Sequence, residues 1–137
     1  MTHRHAKNTR VGLASVPVHH RKSSSKPPSR LQLATHCTDA PFFRPGTGAV
    51  EIIPAVAPKD GEPVIVKHHP NSFRATRLKA LLEAEGVTEL VVIGAMSHMC
   101  IEATSRAAAD FGYPVTVAHD ASATMNQEFG GTAVPAP

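Results

Sequence analysis

The chain has 137 residues, enough for one domain around a single hydrophobic core. Its net charge of +3 hides a segregation, because residues 1–30 carry seven Lys/Arg and no acid. Residues 31–137 carry the other seven Lys/Arg and all 11 acids, a net charge of −4, so we expect no nucleic-acid surface on the folded part. No apolar run approaches the roughly 18 residues of a membrane span. Cys37 and Cys100 are typical of reduced thiols, which predicts a cytoplasmic protein without membrane contact.

Residues 1–40 are interpreted as a basic leader. The segment Arg21-Lys-Ser-Ser-Ser-Lys-Pro-Pro-Ser-Arg30 is too polar to offset the entropy of ordering, so we expect a disordered or mis-encoded stretch. Binding of RNA or lipid by this tail stays an alternative, and so does a transit peptide, although the apolar stripe that a transit peptide needs is weak.

The globular pattern begins at residue 41. Proline and glycine predict a turn-rich loop over residues 41–48, and Pro54 restricts residues 50–56 to a loop or a short edge segment. Residues 63–67 form a predicted buried strand. A loop over residues 70–73 then leads to a predicted helix over residues 75–85, which Gly86 ends.

The second half of the chain repeats this alternation. Residues 89–94 predict a strand that is apolar on both faces, residues 99–111 a helix that Gly112 and Pro114 end, and residues 113–118 a third strand. Residues 119–122 are predicted to be a loop at its C-terminal end, and residues 131–137 a tail without core signal. This order of elements predicts right-handed crossovers and a mainly parallel sheet.

Two reactive side chains follow the ends of predicted strands. Cys100 lies at the start of a helix, where unpaired N–H groups and the helix dipole favour a thiolate, the nucleophilic form. Lys67 ends the first predicted strand, and functional groups collect at the carboxyl ends of parallel strands. If the two strands are adjacent, Lys67 and Cys100 form a chemically sensible pair.

The segment Gly94-Ala-Met-Ser-His-Met-Cys-Ile-Glu-Ala-Thr104, with the residues that follow it to Ala123, resembles the signature of the isochorismatase-like cysteine hydrolases. Pro63-Val-Ile-Val-Lys-His-His-Pro-Asn-Ser-Phe73 is similar to the lysine strand of that family and its following loop. The resemblance covers residues 41–130, which we take as the partial hydrolase domain. The Cys100 segment is the most specific part of the match.

The resemblance implies a three-layer α/β/α sandwich, here incomplete at both ends, and a catalytic Asp-Lys-Cys triad. Cys100 matches the nucleophile and Lys67 the triad lysine. Family members also carry a non-proline cis peptide, which falls here at Ala95-Met96. With the Cys100 N–H, that bond is implied to form an oxyanion hole.

The triad aspartate of the family has no counterpart by sequence. In the family this aspartate lies at the end of an N-terminal strand, in the pattern of three apolar residues followed by Asp-x-Gln. Nothing in residues 1–40 has that pattern. Asp39, the sole acid there, lies in a predicted loop between Thr38 and Ala40. We therefore expect a truncated or frame-shifted chain with little or no activity, since losing such a group costs several powers of ten in rate.

Other candidate residues have weaker support. Phe42, Phe73 and His98 are candidates for the walls of a substrate pocket, although the phenylalanines fit core packing equally well. We expect no metal and no cofactor, because the Asp-x-His element of metal-binding nicotinamidases is missing and adjacent residues of an extended chain, such as His68 and His69, point apart. Asp120 is interpreted as a cap of the loop after its strand.

Two functions compete. The first is a cysteine hydrolase that cleaves an amide or ester-like bond of a small molecule, with amides favoured. The second is a catalytically inactive remnant that acts as an oligomerising interaction module. The resemblance implies a homo-oligomer for an intact member.

Overall fold

The fold is built on a five-stranded sheet with two helices. The computed structural model describes residues 14–17, 30–35, 43–52 and 54–136. The sheet has the order β3-β2-β1-β4-β5 and a separate hairpin pairs β6 with β7. The strands are β1 (Ala14–Pro17), β2 (Arg30–Thr35), β3 (Val64–Lys67), β4 (Leu90–Ala95), β5 (Val115–Ala123), β6 (Gln127–Phe129) and β7 (Thr132–Val134). The α-helices are α1 (Leu78–Ala84) and α2 (Glu102–Asp110).

Strand direction is mixed, with the parallel pairs on the two flanks. β2 pairs with β3 and β4 with β5 in parallel, while β1 runs antiparallel to both β2 and β4. Four of the five strands of the sheet therefore run in the same direction, so the predicted α/β class and the mainly parallel sheet are confirmed. The antiparallel β1 was not predicted, because it falls in the part of the chain that composition assigned to a leader.

The core lies on one face of the sheet. Along β3 burial alternates, so that Ile65 and Lys67 are buried while Val64 and Val66 are exposed. Both helices contribute to a single cluster with the strands, which consists of Leu33, Ile65, Leu78, Leu82, Val87, Leu90, Val92, Ile101 and Ala108. Because α1 and α2 share this cluster, they form one outer layer of the expected sandwich. The described residues contain no α-helix on the other face.

Both helices end in the same hydrogen-bonded turn. After α1, the N–H of Gly86 bonds the carbonyl of Glu83 and the N–H of Val87 bonds that of Leu82. The turn needs a left-handed residue, and Gly86 has a φ of 65°. Gly112 has a φ of 87° at the matching position after α2. Both predicted glycine stops are therefore confirmed.

Helix α1 starts three residues later than predicted. The N–H of Leu78 bonds Thr76 Oγ1 at 3.2 Å, and Thr76 Oγ1 donates to the carbonyl of Ser72 at 2.6 Å. Ala75, just before Thr76, has a φ of 54°, which a right-handed helix does not allow. The segment between Ser72 and Leu78 is thus a hydrogen-bonded turn and not a first turn of helix.

Strand β2 corrects the interpretation of residues 1–40. It lies inside the sheet and contributes Leu33 and Ala34 to the buried residues. A strand inside a sheet gains hydrogen bonds to a neighbour on each edge. The composition of the segment alone does not show those neighbours, so it does not predict the strand. The rest of the predicted leader, with Cys37 and Asp39, lies outside the described residues.

Two more differences concern the C-terminal part. Strand β5 extends to Ala123 and so includes His119 and Asp120, which were predicted to form a loop. Pairing with β4 is interrupted there: Val92 pairs with Val117 and Gly94 with Ser122, so residues 118–121 bulge out of the ladder. Thr132–Val134, predicted to be an unstructured tail, pairs with β6. Among the described residues, no helix is long and apolar enough to cross a membrane.

Candidate active site

Cys100 lies in a wide turn between β4 and α2. Residues Ser97–Ile101 form a π-helical turn, in which the carbonyl of Met96 accepts the N–H of Met99 at 3.0 Å and that of Ile101 at 3.2 Å. The thiol is free and its residue is 3% exposed. The predicted junction of strand and helix is therefore present, with a π turn as its first turn.

The backbone before this turn has the form that the resemblance implied. The Ala95–Met96 peptide bond is cis. Ala95 and Met96 are buried together with Phe43, and Val50 and Met99 pack against them. The oxyanion-hole role of these residues stays a prediction.

Lys67 ends β3 with a fully buried side chain. Its Nζ donates to the carbonyl of His69 at 2.9 Å and to that of Pro70 at 3.2 Å. Among the described residues, the ammonium's acceptors are thus backbone carbonyls. A buried ammonium without acceptors costs several kcal/mol, so these carbonyls are part of what holds Lys67 inside.

The strands that carry the two side chains are not neighbours. β1 and β2 lie between β3 and β4, so no sheet hydrogen bond connects Lys67 with the Cys100 segment. The order of the strands was left open by the sequence, and the adjacency that would bring Lys67 and Cys100 close is not present. The reason is that β1 and β2 come from the segment that was interpreted as a leader.

Thr104 connects the segment that holds the Lys67 ammonium with α2, the helix that follows Cys100. Its Oγ1 donates to the carbonyl of Pro70 at 3.3 Å, the same carbonyl that Lys67 contacts. Ser72 lies against the same hydroxyl, with its Oγ at 2.7 Å and its N–H at 3.2 Å. Sequence reasoning missed Thr104. The signal that could have found it is a hydroxyl on the buried face of a helix, one turn after Cys100.

The predicted pocket residues are placed as follows. His98 is exposed, and its Nδ1 lies 2.5 Å from Thr124 Oγ1. Phe73 packs against the main core and meets the ring of Phe111 edge to face at 5.1 Å. Phe42 lies outside the described residues. A role of these three in binding substrate stays a prediction.

An open cleft of about 820 Å³ lies between α2 and β5. Ile101, Glu102, Arg106, His119 and Asp120 are among its lining residues, while Cys100 and Lys67 are not. Glu102 and Arg106 pair across one helical turn at 2.8 Å. No group of three or more His, Cys, Asp or Glu in the described part of the chain could hold a metal ion.

Comparison with known proteins identifies the family. The isochorismatase domain model matches residues 3–134. The chain belongs to the isochorismatase family. It is 47% identical over 117 residues to the uncharacterized isochorismatase family protein YddQ of Bacillus subtilis, covering 85% of this chain and 65% of that protein. It is 34% identical over 117 residues to nicotinamidase 3 of Arabidopsis thaliana, covering 84% and 59%.

A solved isochorismatase-family structure shows the same fold. The putative isochorismatase hydrolase of Oleispira antarctica superimposes with a TM-score of 0.69 at 49% identity, covering 75% of this chain and 55% of that one. The chain therefore spans about 55–65% of the length of these relatives. The predicted α/β fold and the membership of the isochorismatase family are therefore confirmed.

Proposed function

We propose that Cys100 is the nucleophile of an amide-cleaving site in which Lys67 is the proton-transfer group. The observation that carries this proposal is the shared Pro70 carbonyl, which connects the Lys67 ammonium through Thr104 to α2, the helix that follows Cys100. One relative is named nicotinamidase 3, and nicotinamide is an amide, which supports an amide substrate here.

The proposed reaction has two steps. The Cys100 thiolate attacks the carbonyl carbon of a small amide, the C–N bond breaks, and the amine leaves with a proton from Lys67. Water then attacks the thioester and gives a proton back to the Lys67 amine, which releases a carboxylic acid and restores the Cys100 thiolate and the Lys67 ammonium. Backbone N–H groups at the Ala95–Met96 bond and at Cys100 are the proposed donors to the developing oxyanion.

We further propose that turnover by this chain is weak. Among the described residues, no carboxylate accompanies the backbone carbonyls that hold Lys67 Nζ. Removing the acid of a comparable triad lowers kcat about 10⁴-fold. Asp39, the sole acid of the first 40 residues, lies outside the described part.

The test separates nucleophile from turnover. In a Cys37→Ser background Cys100 is the sole thiol, and its alkylation by iodoacetamide, a small amide, is timed by mass spectrometry against glutathione. Faster alkylation than glutathione at pH 7 supports the nucleophile, and no alkylation of the folded chain contradicts it. Ammonia release from nicotinamide is measured alongside, with Cys100→Ala as the control. Rapid release that Cys100→Ala abolishes would contradict weak turnover.

A second candidate function is self-association. Apolar side chains are exposed at the β5–β7 end of the chain, with Phe129 84% exposed and Val117, Met125 and Val134 between 43% and 51%. Contiguous exposed apolar surface commonly marks an interface. Sedimentation velocity at rising concentration tests this candidate: Phe129→Ser should reduce association, while a monomer at all concentrations would exclude a homo-oligomer.

A further inference from the structure

The position of the Lys67 ammonium depends on the backbone of residues 69–70. Lys67 is fully buried, and its Nζ donates to the carbonyls of His69 and Pro70 at 2.9 and 3.2 Å. Since an ammonium has three protons and no acceptor capacity, its location follows the acceptors that surround it. Whatever fixes the Pro70 carbonyl therefore also fixes the ammonium.

Thr104 donates to that carbonyl, and this hydrogen bond decides the direction of the one between Thr104 and Ser72. A threonine hydroxyl has one proton and can accept two hydrogen bonds. Thr104 Oγ1 donates to Pro70, so it accepts from both the N–H and the hydroxyl of Ser72. All three capacities are used, and both Ser72 and Thr104 are buried, at 0% and 2% exposure.

The same residue belongs to the element that follows the thiol. Thr104 lies in α2, four residues after Cys100. Side chains four residues apart in a helical segment lie on the same face, so those of Cys100 and Thr104 do. β1 and β2 lie between β3, which carries Lys67, and β4, which leads to Cys100. Three strand spacings put the axes of β3 and β4 about 14 Å apart. The Thr104 hydroxyl thus supplies, through the Pro70 carbonyl, a connection that the sheet does not.

We infer that Thr104 is a positioning residue that holds the Lys67 ammonium in register with Cys100. This inference rests on the proposed function. Thr104 acts through the Pro70 carbonyl and does not touch the reacting atoms. Losing its hydrogen bond to Pro70 frees the carbonyl to move, and the ammonium moves with it.

The test is a double-mutant cycle on Cys100 alkylation by iodoacetamide, in the Cys37→Ser background. Thr104→Val keeps the side-chain volume and removes the hydroxyl, and we expect alkylation about three- to tenfold slower, the factor that one net hydrogen bond represents. Thr104→Ser keeps the hydroxyl and should restore the rate to within about twofold. Thr116→Val, on an exposed threonine of β5, is the matched control with an unchanged rate.

The decisive comparison uses Lys67→Met. If Thr104 acts through Lys67, Thr104→Val slows alkylation no further in the Lys67→Met background. Equal slowing in both backgrounds, or none in either, overturns the inference. If Lys67→Met leaves the rate unchanged while Thr104→Val lowers it, both the inference and the role of Lys67 fail. Cys100 that never reacts when folded overturns the nucleophile itself.

Ser72→Ala provides a second test of the same network in case the Thr104→Val chain does not fold. It removes one donor to Thr104 and leaves the hydroxyl in place, so we expect a smaller reduction, about two- to threefold. Circular dichroism of each variant verifies the fold. A folded Ser72→Ala chain with the unchanged rate would count against the network.

Discussion

At the scale of single residues, the molecule contrasts a buried cation with an exposed one. Lys67 is enclosed and bonded to carbonyls, whereas Lys79 on α1 pairs with Glu83 in solvent and lies 5.5 Å from the ring centroid of Phe111. The hydrogen bond to Glu83 raises the pKa of Lys79 above its ordinary value of 10.5. Exposed pairs of this type contribute little to stability, so their effect is best detected by its pH dependence.

The first prediction follows from the direction of that pKa shift. Because the folded pKa is raised, the pair stabilises fully below the unfolded pKa and loses its effect as the pH rises through the folded pKa. Glu83→Gln should therefore lower the thermal midpoint at pH 8 and make progressively less difference towards pH 11.5.

A matched control lies on α2. Glu102 pairs with Arg106, which stays charged over this whole range, so the effect of Glu102→Gln should persist. Parallel thermal melts at pH 8, 9.5, 10.5 and 11.5 make the comparison. If the Glu83→Gln difference persists to pH 11.5, the pair does not act through the charge of Lys79.

At the scale of elements, burial shows which segments belong to the sheet and its covering layer. Strand β2 contributes the fully buried Leu33, and α2 faces the sheet with the fully buried Ala108. Both positions lie in the same core cluster. A deletion at the first position and an enlargement at the second test whether the two elements pack as the structure shows.

Leu33→Ala is predicted to lower the free energy of unfolding by about 2–5 kcal/mol, since a fully buried leucine leaves a cavity. Val64→Ala on the adjacent strand β3 is the control, because Val64 is 39% exposed. Urea denaturation measures both. Equal small effects would mean that β2 does not enter the core, as the leader interpretation had it.

Ala108→Leu is predicted to destabilise by about 1–3 kcal/mol, since extra methylenes have no room between α2 and the sheet. Ala109→Leu adds the same atoms one residue along, on the exposed side of the helix, and should be close to neutral. Stabilisation by Ala108→Leu in the same urea experiment would show an unfilled space under α2.

Much of this could be predicted from local sequence. The helix stops at Gly86 and Gly112 need a single left-handed residue, and the Cys100 segment carries its signature within a few positions. Strand β2 could not be predicted in this way, because its partner strands are distant in the sequence. Its own residues include the polar Gln32 and Thr35, which weaken the apolar pattern of a strand. Strand order and the contact from Thr104 to Pro70 depend on such distant pairing, which periodicity does not encode.

At the scale of the whole molecule, stability is unevenly distributed. β4 lies inside the sheet with Leu90 and Val92 nearly or fully buried, whereas every residue of β6 and β7 is exposed. Local opening has a lower free energy where few apolar contacts must break. The C-terminal hairpin should therefore open independently of the sheet.

Amide hydrogen exchange measures this difference. We predict the slowest exchange in β4, at or near the rate of global unfolding, and exchange in the hairpin at least about 100-fold faster. A concentration series separates intrinsic stability from self-association. Hairpin protection equal to that of β4 at the lowest concentration would contradict independent opening.

The bulge of β5 has a consequence for variation among related chains. Residues 118–121 lie outside the ladder, and Ser122 Oγ closes the bulge by donating to the carbonyl of Ala118 at 2.8 Å. Pairing with β4 resumes beyond the bulge, where Gly94 pairs with Ser122. We therefore expect that His119 and Asp120, which line the cleft, can be substituted without a change in the register of β4, the strand that leads to Cys100.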